Sequence, residues 1–368
     1  MGSVQNQEAV FFEPFEVPGA RIVHGVTFPY GLRVTGPNAS ETPIDLLAAK
    51  LRSLSESGEI KALLERHGAI VVSGLGSPSK QAFSDLVTAV EEGRGSHPHI
   101  QIGLAGKRNP VAKNIWTANE GSPDRRFYQH NEYSRYTRFP ANIHFYCEKQ
   151  AEKGGETPIA HSVEVYEHVL AEIPELVASV RKHGLGMKMF FPAPGKQTGD
   201  NGFDWAGEHS FGQEIDPDDD FTTRKTKAEK QIRKLTDDFH WTEDGGLELT
   251  QHIPGLRRVP SSGRPTWFNG LVGRYGMTRD AGAVNPPYIG TDGMTYLPCV
   301  YSDGTPIPTA YLESLVEVIN KLEVPLRVDE GDLLLVDNFQ VSHGRWPWVG
   351  ERKVLVSMWD GAEAVKAF

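Results

Sequence analysis

Cysteine is nearly absent: Cys147 and Cys299 are the only two in 368 residues. Two cannot form a disulfide framework for a chain this long, so a reducing, cytoplasmic setting is expected. Long apolar runs are also missing. No stretch reaches the roughly 18 consecutive apolar residues that a membrane-spanning helix needs. Met1–Glu8 lacks the basic start and apolar stretch of a secretory signal. Positive charge is in deficit, with a formal net charge of -10 and no Lys/Arg cluster. Phosphate binding requires such a cluster, so a nucleic-acid partner is not expected. Internal repeats and low-complexity linkers are absent too, which leaves nothing to divide the chain into tandem units.

What is there suits a globular fold rich in turns: 39% hydrophobic and 23% charged residues, with 38 Gly and 25 Pro. Helical periodicity runs from Ile44 to Arg66 and stops at Gly68, and Ala69–Ser73 reads as a buried strand. A further helix is expected from Ser77, with Pro78 in its first turn. Ile143–Cys147 has strand composition, and Ser162–Lys182 reads as helix interrupted at Pro174 and ended by Gly184. Gly195–Asp220 reads as loop, and its acidic end, Asp216–Asp220, lacks the ligand spacing of an EF-hand. A charged helix over Arg224–Leu235 precedes strands over Leu247–Val259 and Arg264–Phe268. Pro308–Leu322 is an amphipathic helix, and Leu326–Val328, Leu333–Asp337 and Lys353–Trp359 are strands. The pattern predicts one β-rich catalytic domain over residues 28–368 behind an N-terminal extension, residues 1–27.

Within it, His130 and Glu132 stand two apart in Gln129-His-Asn-Glu-Tyr133, and His343 lies far downstream. On a strand, residues i and i+2 face the same way, so the pair can share a metal while Asn131 faces the opposite side. Two histidines and a carboxylate on one face of a metal leave its other positions open, as a non-haem Fe(II) oxygenase requires. The pair alone is a weak pattern. It gains weight from Gly154-Gly-Glu-Thr157 shortly after it, and from Asp337-Asn338, His343 and Arg352 at the far end.

These segments resemble the TauD/TfdA family, the clavaminate-synthase-like oxygenases that depend on Fe(II) and 2-oxoglutarate. Its members share an H-x-D/E pair, a GG-D/E-T segment and a distal D-N…H followed by Arg. Phe28-Pro29, Phe145-Tyr-Cys-Glu148 and Trp267-Phe-Asn269 resemble a plant and fungal branch with Glu as the carboxylate. The likeness spans about Phe28 to Trp359, with Met187 to Thr223 unplaced. It implies a mainly β fold with flanking helices around a double-stranded β-helix (jelly-roll, cupin-like) core.

The resemblance further implies that His130, Glu132 and His343 bind Fe(II), while Arg352 and Thr157 bind the distal carboxylate of 2-oxoglutarate. A guanidinium suits that task because it forks onto a carboxylate and stays ionised. Many members carry a second Arg where this chain has Val356. Asn338 is expected to orient the site. Trp116, Tyr133, Trp267, Asn269 and Arg345 are candidate substrate contacts, with core packing the competing role for both tryptophans. His144, His161, His240 and His252 are expected to be structural or exposed. The implied reaction consumes O2 and 2-oxoglutarate, releases CO2 and succinate, and oxidises an unactivated C–H bond of a small molecule, in secondary metabolism or amino-acid modification. Two rivals remain: a cupin-like metalloenzyme without 2-oxoglutarate, and a noncatalytic jelly-roll binding protein.

Overall fold

Apolar runs without alternation, such as Leu333-Leu-Leu-Val336, need cover on both faces. The computed structural model describes residues 10–361 other than 37–38, 77, 105–107, 119–120 and 197–203. The readings of Met1–Glu8, of Ser77 as a helix start and of 197–203 as loop lie outside the described residues.

Leu333–Asp337 lies inside a nine-stranded sheet. From edge to edge it runs Phe11–Phe15, Tyr30–Thr35, Ala69–Ser73, Leu333–Asp337, Asn142–Lys149, Lys353–Asp360, Ile115–Thr117 and Pro110–Ala112, with His97–Pro98 paired to Lys353–Asp360. Among the described residues, only the pairing of Tyr30–Thr35 with Ala69–Ser73 is parallel. Leu333, Leu335, Tyr146 and Leu355 pack on one face beneath the helices Ile44–Glu56 and Lys80–Gly93. Leu334, Val336, Phe145, Val354 and Val356 fill the other face.

A smaller antiparallel sheet stands against that second face, in the order Val324–Leu326, Thr157–His161, Val341–Arg345, Phe127–His130. Its Leu326, Ile159 and Val341 share the core between the sheets. Helices Ser162–Glu172, Pro174–His183, Leu271–Asp280 and Thr309–Leu322 cover its outer side. Two facing sheets with helices packed outside form the expected double-stranded β-helix. No helix among the described residues is long and apolar enough to cross a membrane.

The stretch that the sequence left unplaced opens within Leu185–Phe191, a strand of a third sheet with Leu247–Ile253, Phe239–Trp241 and Val300–Tyr301. Met189, Phe191, Leu247 and Leu249 from this sheet join Tyr133 and Tyr136 in the inter-sheet core.

Several local expectations are corrected. Ile44–Arg66 is two helices, Ile44–Glu56 and Glu59–His67, because Gly58 between them adopts φ 85°. The next helix begins at Lys80, capped by Ser79, whose Oγ accepts the Ala82 N–H at 3.0 Å, so Pro78 precedes the helix. Helix Leu271–Asp280 was unexpected, since Gly273 and Gly276 lower helix propensity. Packing explains Gly276: a Cβ there would lie 2.3 Å from Tyr128 Cδ2.

Candidate metal centre

His343 sits at the middle of strand Val341–Arg345, directly across the ladder from His130, and their ring centroids are 4.4 Å apart. The expectation that His130 and Glu132 share a strand face is corrected. Strand Phe127–His130 ends at His130, and Glu132 lies in the following turn, where Tyr133 adopts φ 55°. The turn, and not the pleat, swings the carboxylate back onto the histidines.

Glu132 Oε2 lies 3.7 Å from His130 Nε2 and 3.5 Å from His343 Nε2. One ligand atom from each residue falls within 4.8 Å of the others. Oε2 is buried and has no hydrogen-bond partner. A buried acceptor of that kind is costly unless something positive completes it. His130 Nδ1 lies 2.9 Å from the Tyr128 carbonyl, so its N–H donates there and leaves Nε2 bare toward Glu132. Two imidazole nitrogens and a carboxylate oxygen converging in this way fit a divalent transition metal.

The electrostatics agree. Burial pushes the Glu132 carboxyl up, but the Arg108 charge and the neighbouring His130 and His343 rings outweigh it and hold it well below the usual range. Burial, then the neighbouring His130, pushes His343 down to about 4, so its ring is neutral at physiological pH, the form that ligates. Arg108 Nη2 donates to Glu132 Oε1 at 2.8 Å. Nothing in the sequence flagged Arg108, which has no motif around it and reaches Glu132 only through the fold. The Asn338 amide grips the backbone of Glu132, its Oδ1 accepting the N–H and its Nδ2 donating to the carbonyl. Asn131 faces away, donating to Ser162 Oγ at 3.0 Å and to the Asn338 carbonyl at 2.7 Å.

Arg352, just before strand Lys353–Asp360 of the large sheet, comes together with Thr157 of the smaller one. Arg352 Nη2 lies 3.4 Å from Thr157 Oγ1, and its Nε donates to the Gly155 carbonyl at 3.0 Å. Thr157 is on the same strand face as Ile159, the residue that pairs with His343. Burial, then the nearby Arg345, lowers Arg352 to about 10, which leaves it charged at neutral pH. Arg345 is buried, with Phe127 and Trp348 rings each 4.6 Å from its guanidinium. Trp348 is also 5.6 Å from the Arg352 guanidinium, so Arg345 belongs to the Arg352 end. Val356 is fully buried opposite Phe145, whose ring lies 4.8 Å from that of His343. An apolar side chain therefore stands beside the centre at that position.

The remaining candidates divide. Trp116 pairs with Val356 and packs against the inter-sheet core, and Tyr133 is buried in it, donating to Gln101 Oε1 at 3.2 Å. Trp267 belongs to the helix-side core behind the smaller sheet. Asn269 donates to the Gly255 carbonyl at 2.9 Å and accepts the Leu271 N–H at 3.2 Å, holding the start of helix Leu271–Asp280. These two have structural partners. His144 is buried on Glu91 at 2.7 Å, and His240 and His252 are exposed, as anticipated.

A double-stranded β-helix carrying two histidines and a carboxylate in this arrangement defines the non-haem iron oxygenase class. Residues 34–359 match the family described as "Taurine catabolism dioxygenase TauD, TfdA family", and the chain belongs to it. It is accordingly a dioxygenase that uses Fe(II), 2-oxoglutarate and O2. The chain is 29% identical over 347 residues to the clavaminate synthase-like protein At3g21360 of Arabidopsis thaliana, covering 93% of this chain and 97% of that one. It is 29% identical over 303 residues to the dapdiamide synthesis protein DdaC of Enterobacter agglomerans, covering 82% and 84%. Among solved structures, a taurine dioxygenase from Burkholderia xenovorans superposes with a TM-score of 0.44 at 12% identity, over 90% of this chain and 86% of that one.

Proposed function

We propose that His130, Glu132 and His343 hold the Fe(II), and that Arg352 with Thr157 receives the distal carboxylate of 2-oxoglutarate. The observation that carries this reading is the buried, unpartnered Glu132 Oε2 facing two imidazole Nε2 atoms. Held by these residues, Fe(II) would supply the activation of O2, with 2-oxoglutarate as electron donor giving CO2 and succinate, for oxidation of a C–H bond of the substrate. The outcome is hydroxylation, desaturation or ring closure, according to how the protein holds the substrate.

The chain's own residues have separate tasks. The Tyr128 carbonyl fixes the tautomer of His130, and the buried surroundings keep His343 neutral. Arg352 offers a planar fork of donors in a site that excludes most water, and Thr157 adds a hydroxyl to the same carboxylate. Val356, Phe145 and Trp116 give the interior beside the triad an apolar lining suited to an alkyl segment.

The substrate is a small molecule of secondary metabolism or amino-acid type, transformed in the cytoplasm. The name of one relative, a dapdiamide synthesis protein, supports this choice. The paired Arg352 and Thr157 favour 2-oxoglutarate over the rival without it. Anaerobic addition of Fe(II) and 2-oxoglutarate to the purified protein should produce a weak visible charge-transfer band. A folded protein that gives no band would sink the proposal.

A further inference from the structure

The two oxygens of Glu132 lie in different environments. Oε2 faces His130 and His343 and has no hydrogen-bond partner, while Oε1 accepts from Arg108 Nη2 at 2.8 Å. The side chains of both are withdrawn from water, at 19% exposure for Arg108 and 5% for Glu132. Arg108 Nη1 also lies 3.7 Å from Met358 Sδ, on the inner face of the large sheet and two residues beyond Val356. The guanidinium thus enters the core between the sheets beside the triad.

We propose that Arg108 is a positioning residue that makes Glu132 a one-oxygen metal ligand, an inference that rests on the triad being the metal site. For Glu132 to chelate with both oxygens, Oε1 would have to leave a charge-assisted hydrogen bond in a poorly hydrated site, where such bonds are strongest. While Oε1 stays on Arg108, only Oε2 is offered to the metal. A single-oxygen ligand leaves a further coordination position open, which a centre that must hold a cosubstrate and O2 together needs.

The test is calorimetric titration of Mn(II) into apoprotein, without cosubstrate or turnover, for the wild type and for Arg108→Gln and Arg108→Lys. Loss of a residue that orients a metal ligand weakens binding about 10- to 100-fold, and that loss is expected for Arg108→Gln. Arg108→Lys keeps a donor and the charge, and should remain within about threefold of wild type. Arg108→Met, which keeps an unbranched stem, replaces the glutamine if that variant does not fold. Wild-type affinity in the folded glutamine or methionine variant would overturn the inference, as would a lysine variant as weak as glutamine. Failure of the wild type to bind Mn(II) at all would overturn the metal site itself.

Discussion

Asn338 closes on the backbone of Glu132 from both sides. Its Oδ1 accepts the Glu132 N–H at 2.7 Å, and its Nδ2 donates to the Glu132 carbonyl at 3.0 Å and to the Pro140 carbonyl at 2.8 Å. A residue 206 positions away therefore fixes the turn that carries the carboxylate. Asn338→Leu should leave three buried backbone groups unpaired and cost roughly 2–4 kcal/mol. Urea unfolding of the apoprotein measures this, and an unchanged midpoint would remove Asn338 from the architecture of the site.

His343→Ala should abolish metal binding while the fold survives, because Glu132 retains its ion pair with Arg108. The readout is the thermal shift on adding Mn(II). Saturating metal at about 100 times its dissociation constant stabilises the wild type by about 2.7 kcal/mol and the variant by nothing. A variant stabilised as much as wild type would exclude His343 as a ligand.

Arg352→Ala should raise the 2-oxoglutarate requirement by about 10- to 100-fold, the range for losing hydrogen bonds to a charged group, with Mn(II) affinity retained. Thr157→Val should raise it only several-fold, since one neutral donor is lost. Titrating the charge-transfer band with 2-oxoglutarate separates the two. Equal dependence in Arg352→Ala and wild type would reassign the cosubstrate carboxylate to other residues.

His161 governs part of the acid stability. Its buried ring lies edge-on to Phe28 at 5.4 Å, and burial, then the charges of His24, Arg264 and Arg21, push its pKa down to about 3 against the opposing pull of Glu167. Below the unfolded value of about 6.5 the unfolded chain binds a proton that the folded chain refuses. This contribution is fully present above pH about 6.5 and falls by up to about 1.4 kcal/mol per unit as pH drops toward 3. In chemical denaturation from pH 7.5 to 5, His161→Leu should lose less stability than wild type. Parallel profiles would contradict a neutral buried His161.

Much of this was legible in the chain because the signals were local. Leu333–Val336 is apolar at every position, and a strand covered on both faces has to be. Ser162–Lys182 breaks at Pro174 because that ring cannot continue the preceding helix. Helix Leu271–Asp280 was hidden, because Gly273 and Gly276 lower its propensity and only the close contact with Tyr128 of strand Phe127–His130 requires Gly276 to be small. Ile44–Arg66 misled in the opposite direction, because the apolar period continues across the left-handed Gly58.

The sequence by itself determined which residues are proposed as donors, His130, Glu132, His343, Arg352 and Thr157, because side-chain chemistry and order along the chain carry them. Tertiary structure decided how they are used. Glu132 turns toward the histidines only after its strand has ended, held there by Asn338 and by Arg108. Arg352 meets Thr157 only because two sheets face each other. Hydrogen bonds and ion pairs between distant residues leave no periodicity in the chain, so they become readable only when the two sheets close around them.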